Sequence, residues 1–204
     1  INRDFWAPHF ARHPIPAPGS AVVAEARKKA LKGTEHFYND NLAEARKAFE
    51  SALSTIPNDP YCNFYLGRIL LAGGQTEQAL RHLELAIRYD TFRPVRATLE
   101  HNEIIRQVAD SESLQLIDFD RLLLDTHGIA GKKLFIDNCH GRPDTYIEMG
   151  LILARSLAGN VSEPNIDRSI SEESLKRVRA LVEPLQDEES AFLKEWQEGV
   201  MSNE

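Results

Sequence analysis

Laying residues 26–59 over residues 60–93 places Gly33 on Gly67, Ala45 on Ala79, Phe49 on Leu83, Ala52 on Ala86 and Leu53 on Ile87, an offset of 34 residues. Self-similarity at a fixed period constrains a chain more than composition does. Each copy must be one supersecondary unit that buries its apolar face against the next. The residue types suit two antiparallel helices per copy. Glycine allows close approach, alanine leaves room where helices cross, and Phe or Leu fills the space beside them. The stretches "NDNLAEA" and "AGGQTEQA" read as polar turns that lead into a helix. Pro57 closes the first unit and opens the break "PNDP".

This pattern resembles the tetratricopeptide repeat, and "YLGRILLAGGQTEQALRHLELAIRYD" is the stronger copy. In the first copy Lys29 and Lys32 occupy positions that are usually apolar. Two repeats are too few to bury a continuous core. Residues 94–109 are therefore expected to form a capping helix, with Pro94 in its first turn and Val95, Leu99, Ile104, Ile105 and Val108 as its packed stripe. The resemblance implies a concave surface lined by the first helix of each pair. The candidate ligand-binding residues there are Tyr61, Phe64, Arg68 and Leu71, facing a protein or peptide. The competing expectation is that the aromatics are core and Arg68 is solvated.

Composition excludes several classes. The net charge of −7 comes without a dense Lys/Arg cluster, so no nucleic-acid partner is expected. No apolar run approaches the roughly 18 residues needed to cross a bilayer. Cys62 and Cys139 make no disulfide framework and lack the paired spacing of structural zinc. No cofactor is expected. The chain starts at Ile1 with no signal peptide and reads as part of a longer polypeptide.

The pattern changes after Ser113. "LQLID", residues 114–118, reads as a buried strand, and "LFI", residues 134–136, as a second short apolar run entering Asp137. A helix is expected from Pro143, with Ile147, Leu151, Ala154 and Leu157 at helical spacing and Gly159-Asn160 at its end. Asp137 and His140 could meet on a loop just past a strand. There an Asp could hold the imidazole of a general base. Their spacing alone is weak evidence.

The block "GKKLFIDNCHGRPDTYIEMGLILARSL" resembles the last section of the SGNH (GDSL-type) hydrolases, where an apolar strand leads into Asp-x-x-His. Tyr146 and Gly150 fit the pattern, whereas Gly141 and Thr145 depart from it. The resemblance covers about residues 40–158 and is strongest at 131–157. It implies a small α/β segment, Asp137 and His140 as catalytic residues, and a serine nucleophile upstream. It also implies a bacterial parent protein that is extracytoplasmic or membrane-anchored; without it the expectation is cytoplasmic. No Gly-Asp-Ser motif occurs in the chain. Ser20 reads as a turn or helix-cap residue, and the nucleophile is expected on a missing N-terminal part of the same protein.

Other candidates are weaker. Cys139 reads as structural, a metal site from His127, Asp137 and His140 needs an unsupported convergence, and His9 and His13 sit in a Pro-rich arm. Residues 160–204 read as a charged helical tail with Phe192, Leu193 and Trp196 on one apolar face. The expected fold is mainly α. An extended arm spans 1–25, tetratricopeptide-like hairpins with a capping helix span 26–110, the SGNH-like segment spans 111–159, and the tail follows. Two functions compete: the C-terminal portion of an SGNH-like esterase or acyltransferase with a protein-binding repeat region, or a non-catalytic scaffold that uses the repeats alone.

Overall fold

The structure is a computed structural model that describes residues 3, 8, 20–90, 97–129, 131–136 and 139–157. The chain divides into two units, Ile1–Arg142 and Pro143–Glu204. The first carries α1 (Ala21–Tyr38), α2 (Leu42–Leu53), α3 (Pro60–Ala72), α4 (Thr76–Arg88), α5 (Leu99–Ser111) and α6 (Phe119–His127), and the second carries α7 (Pro143–Leu157).

The 34-residue period is a period of packing. The α1–α2 and α3–α4 hairpins hold most of the interhelical contact, and α2 packs on α3. In the first hairpin a Cβ on Gly33 would lie 3.1 Å from the Phe49 ring. In the second, a Cβ on Gly67 would lie 2.7 Å from Leu83 Cγ. The glycine therefore marks a close approach in each hairpin, and the residue 16 positions later fills the contact. Ala45, Phe49, Ala79 and Leu83 are wholly buried, with Ala52 and Ala86 nearly so. Truncation of such a side chain, Phe49→Ala for example, costs about 3–5 kcal/mol.

The turns repeat as well. Asn39, Asp40 and Asn41 donate their backbone N–H groups to Glu35, Phe37 and His36; Gly73, Gly74 and Gln75 donate theirs to Ile69, Leu71 and Leu70. Position for position these are the same three bonds, and they satisfy carbonyls that a helix end leaves orphaned. Asp40 and Gly74 both sit in the left-handed region, at φ 59° and 74°.

Between the hairpins, Asp59 caps α3 by accepting from Cys62 N at 2.9 Å, and Pro60 takes the first helical position. Asn63 Nδ2 donates to the carbonyls of Pro57 and Asp59, which leaves Asn63 Oδ1 to accept from His82 Nδ1 at 2.8 Å. One buried amide thus ties the linking loop to both helices of the second hairpin. Tyr65 is the aromatic centre of the core, stacked on Phe49 with centroids 5.3 Å apart and edge-on to Phe37 and Phe64.

Beyond the hairpins the structure corrects three expectations. The capping helix begins at Leu99, with His101 Nδ1 accepting from Thr98 N at 3.2 Å, and residues 91–96, Pro94 and Val95 among them, lie outside the described residues. Its buried residues are Leu99 and Ala109, whereas Ile104, Ile105 and Val108 are exposed. The contact stripe is therefore not the one the apolar pattern suggests.

Residues 114–118 form no strand. Leu114 and Leu116 are exposed, and Asp118 instead caps α6, accepting from Arg121 N at 3.2 Å. The same carboxylate takes a bidentate pair from Arg106 on α5, at 2.6 Å and 3.1 Å.

Residues 134–136 are also no strand. Leu134 N and Phe135 N both donate to Gly131 O, and Phe135 meets Gly141 in an isolated antiparallel bridge. The segment is a turn closed on itself. Among the described residues the fold is all helix and turn, and the small α/β segment is absent.

Candidate functional site

Of the four residues expected to line a groove, two belong to the core. Phe64 is buried against Tyr65. Tyr61 is half-buried, and its hydroxyl lies 2.7 Å from Thr34 Oγ1. Thr34 already donates to Ala30 O at 3.1 Å, so the Tyr61 hydroxyl is the donor to it. Burial pushes the Tyr61 phenol above its ordinary pKa. This is a structural hydrogen bond joining the two hairpins.

The other two, Arg68 and Leu71, line a cavity of about 510 Å³. Its other walls are Thr76 at the start of α4, His127 at the end of α6, and Gly128, Ile129, Gly131, Lys132 and Lys133 after it. Arg68 lies one α-helical turn past Phe64, and its guanidinium carbon sits 5.6 Å from the Phe37 ring centroid and 5.8 Å from that of Phe64. Those faces attract the cation and hold it at the rim of the core. Ile129 packs against the hydrophobic core shared by the hairpins. The segment after α6 is thereby fixed beside α3, and the two lysines are carried to the cavity.

The expected catalytic pair, Asp137 and His140, is only partly covered by the described residues. Asp137 lies outside them. His140 is exposed, and its Nδ1 lies 3.4 Å from Cys139 Sγ. Its backbone carbonyl accepts from Ile136 N at 2.9 Å. Among the described residues no group of His, Cys, Asp and Glu is placed to hold a metal ion. Trp196, Phe192 and Leu193 also lie outside them.

A second polar cluster escaped sequence reasoning altogether. Arg3 is almost fully buried and grips Asp120 through two contacts of 3.0 Å, with Glu84 of α4 at 3.4 Å. Arg106 reaches Asp120 as well, at 3.4 Å. Burial alone would raise the carboxyl pKa values here. The Arg106 bond on Asp118 and the Arg3 bond on Asp120 outweigh it and hold both carboxyls below the ordinary range. No periodic signal pairs residue 3 with residue 120, so nothing in the sequence could have announced this network.

Residues 36–100 match the tetratricopeptide repeat family. The matched stretch runs from the end of α1 to the start of α5 and holds α2, α3 and α4 entire. It includes Tyr61, Phe64, Arg68 and Leu71. No curated protein and no solved structure gives a significant match to the chain. The mainly helical fold and the family match together support a protein-binding repeat region. No helix among the described residues is long and apolar enough to cross a membrane.

Proposed function

We propose that the chain is an interaction module. Its repeat hairpins present a binding surface at the C-terminal end of α3, with Arg68 and Leu71 as contact residues. The observation that carries this reading is the cavity that these two residues of the tetratricopeptide-matched stretch line together with residues 127–129 and 131–133. The aromatics Tyr61 and Phe64 act one step back. They hold the helix face in place, and Phe64 with Phe37 supports the Arg68 guanidinium. The partner is a protein or peptide with an anionic group for Arg68 and an apolar side chain for Leu71.

The hydrolase alternative has little to rest on. The described residues contain no strand to present an acid, and His140 is an exposed loop residue beside Cys139. Peptides selected from a displayed library on the wild-type chain test the interaction reading. Reversal of charge in Arg68→Glu should weaken the selected peptides by about tenfold or more, the effect of losing a charge-assisted contact. Binding unchanged by Arg68→Glu would reject this surface. Ester turnover by the chain that disappears in His140→Ala would restore the hydrolytic alternative.

A further inference from the structure

The cavity beside α3 has a lining whose chemistry is one-sided. The chain carries 31 acidic residues against 24 lysines and arginines, yet among the described residues no Asp or Glu lines this cavity, whereas Arg68, Lys132, Lys133 and His127 do. Thr76 adds a hydroxyl. We infer that this cavity is a binding site for a phosphate monoester, an inference that rests on the proposed interaction surface and names the group recognised there. A monoester near neutral pH carries between one and two negative charges on three acceptor oxygens. Three permanent cations of both kinds match that better than they match the single charge and two oxygens of a carboxylate. Arginine supplies a planar fork, and lysines supply point charges that adapt to the remaining oxygens.

The volume supports the assignment. About 510 Å³ falls in the range of small-molecule sites and leaves room for the group esterified to the phosphate. Leu71 and Ile129 offer that group an apolar wall. Two glycines, Gly128 and Gly131, lie in the same lining, and a Cβ on Gly128 would meet nothing within 4 Å. The backbone is accordingly uncrowded on that side.

Two sources share this chemistry, a phosphorylated side chain of a partner and a free phosphate ester. Both are titrated calorimetrically into the purified chain: a short Gly-Ser peptide with one phosphoserine, its unphosphorylated and aspartate counterparts, and phenyl phosphate. The expected result is saturable binding of at least one phosphate probe. It should weaken by about tenfold or more in the double variant Lys132→Gln, Lys133→Gln, as the loss of two charge-assisted contacts requires. Arg81→Gln removes an exposed cation, paired with Glu77, from outside the lining and should leave binding unchanged. Thermal unfolding of each variant checks that the fold is intact.

Binding of both phosphate probes means that the free ester suffices; binding of the phosphopeptide alone assigns the site to a modified partner. Absence of saturable binding to either overturns the inference. So does equal binding of the aspartate peptide, an unaffected lysine variant, or equal weakening in Arg81→Gln. Selected peptides that still bind the lysine variant and lose affinity in Arg68→Glu would leave the interaction surface standing without its phosphate site.

Discussion

Asp40 and Gly74 stand at the same place in the two hairpins, in the same turn and with the same three backbone bonds around them. Only glycine is at ease there, because an L side chain in the left-handed region crowds its own backbone. Asp40 tolerates the position better than most residues and still bears a cost. Asp40→Gly should therefore stabilise the chain by up to about 1 kcal/mol, and Gly74→Ala should destabilise it by about 1 kcal/mol. A Cβ at Gly74 meets nothing within 4 Å, so backbone strain alone sets the second value. Urea midpoints at unchanged slope decide both signs. Gly67→Ala follows different physics. Its Cβ would meet Leu83 Cγ at 2.7 Å and Ala79 O at 3.2 Å, so overpacking should cost about 1–3 kcal/mol. Combining it with Leu83→Ala removes the clashing carbon. The double variant should then lose less than the sum of the two single variants, and simple additivity would refute the contact.

At the scale of elements, what was legible depended on whether a residue's neighbour recurs at a fixed interval. Gly33 and Phe49, Gly67 and Leu83, and the alanines between them announce their packing because one spacing appears twice. Arg68 and Leu71 could be nominated for the surface on the same ground. His127 at the end of α6 and Lys132 and Lys133 beyond it could not, since this stretch has no period, and what anchors it is the side-chain contact of Ile129 with a distant core. The apolar run at 114–118 fails for a related reason. Three apolar residues in a five-residue run ending in Asp fit a strand by composition, but a strand needs a second one to pair with, and none is present among the described residues. Asp118 is instead committed to the N-terminus of α6 and to Arg106. The two roles can be separated. Asp118→Asn keeps a capping oxygen and loses the charge, and Asp118→Ala loses both. Stability should fall in that order, with a total loss of about 1–3 kcal/mol for the alanine. An Asn variant as unstable as the Ala variant would show that the cap contributes nothing. An Asn variant equal to wild type would dismiss the ion pair.

For the Ile1–Arg142 unit as a whole, the polar groups that link its helices set its response to acid. His82 is held neutral: burial lowers its pKa below the ordinary 6.5, and its Nδ1 donates to Asn63 between the helices of the second hairpin. The unfolded chain then takes up a proton at a pH where the folded chain still refuses it. Stability carried by His82 is complete above about 6.5 and is lost as pH falls from there through the folded value. Asp118 and Asp120 act lower down. Arg106 and Arg3 depress their carboxyls below the ordinary 3.8, so the stability they carry is complete above 3.8 and is lost as pH falls further. Urea unfolding between neutral and acid pH should thus show two separate declines, one beginning near 6.5 and one near 3.8. His82→Gln should abolish the upper decline and leave the lower one in place. Asp118→Asn should do the reverse, shrinking the lower decline while the upper persists. If His82→Gln leaves the upper decline untouched, the protonation that loosens the second hairpin occurs elsewhere, and the buried link from Asn63 to His82 does not set the acid response of this fold.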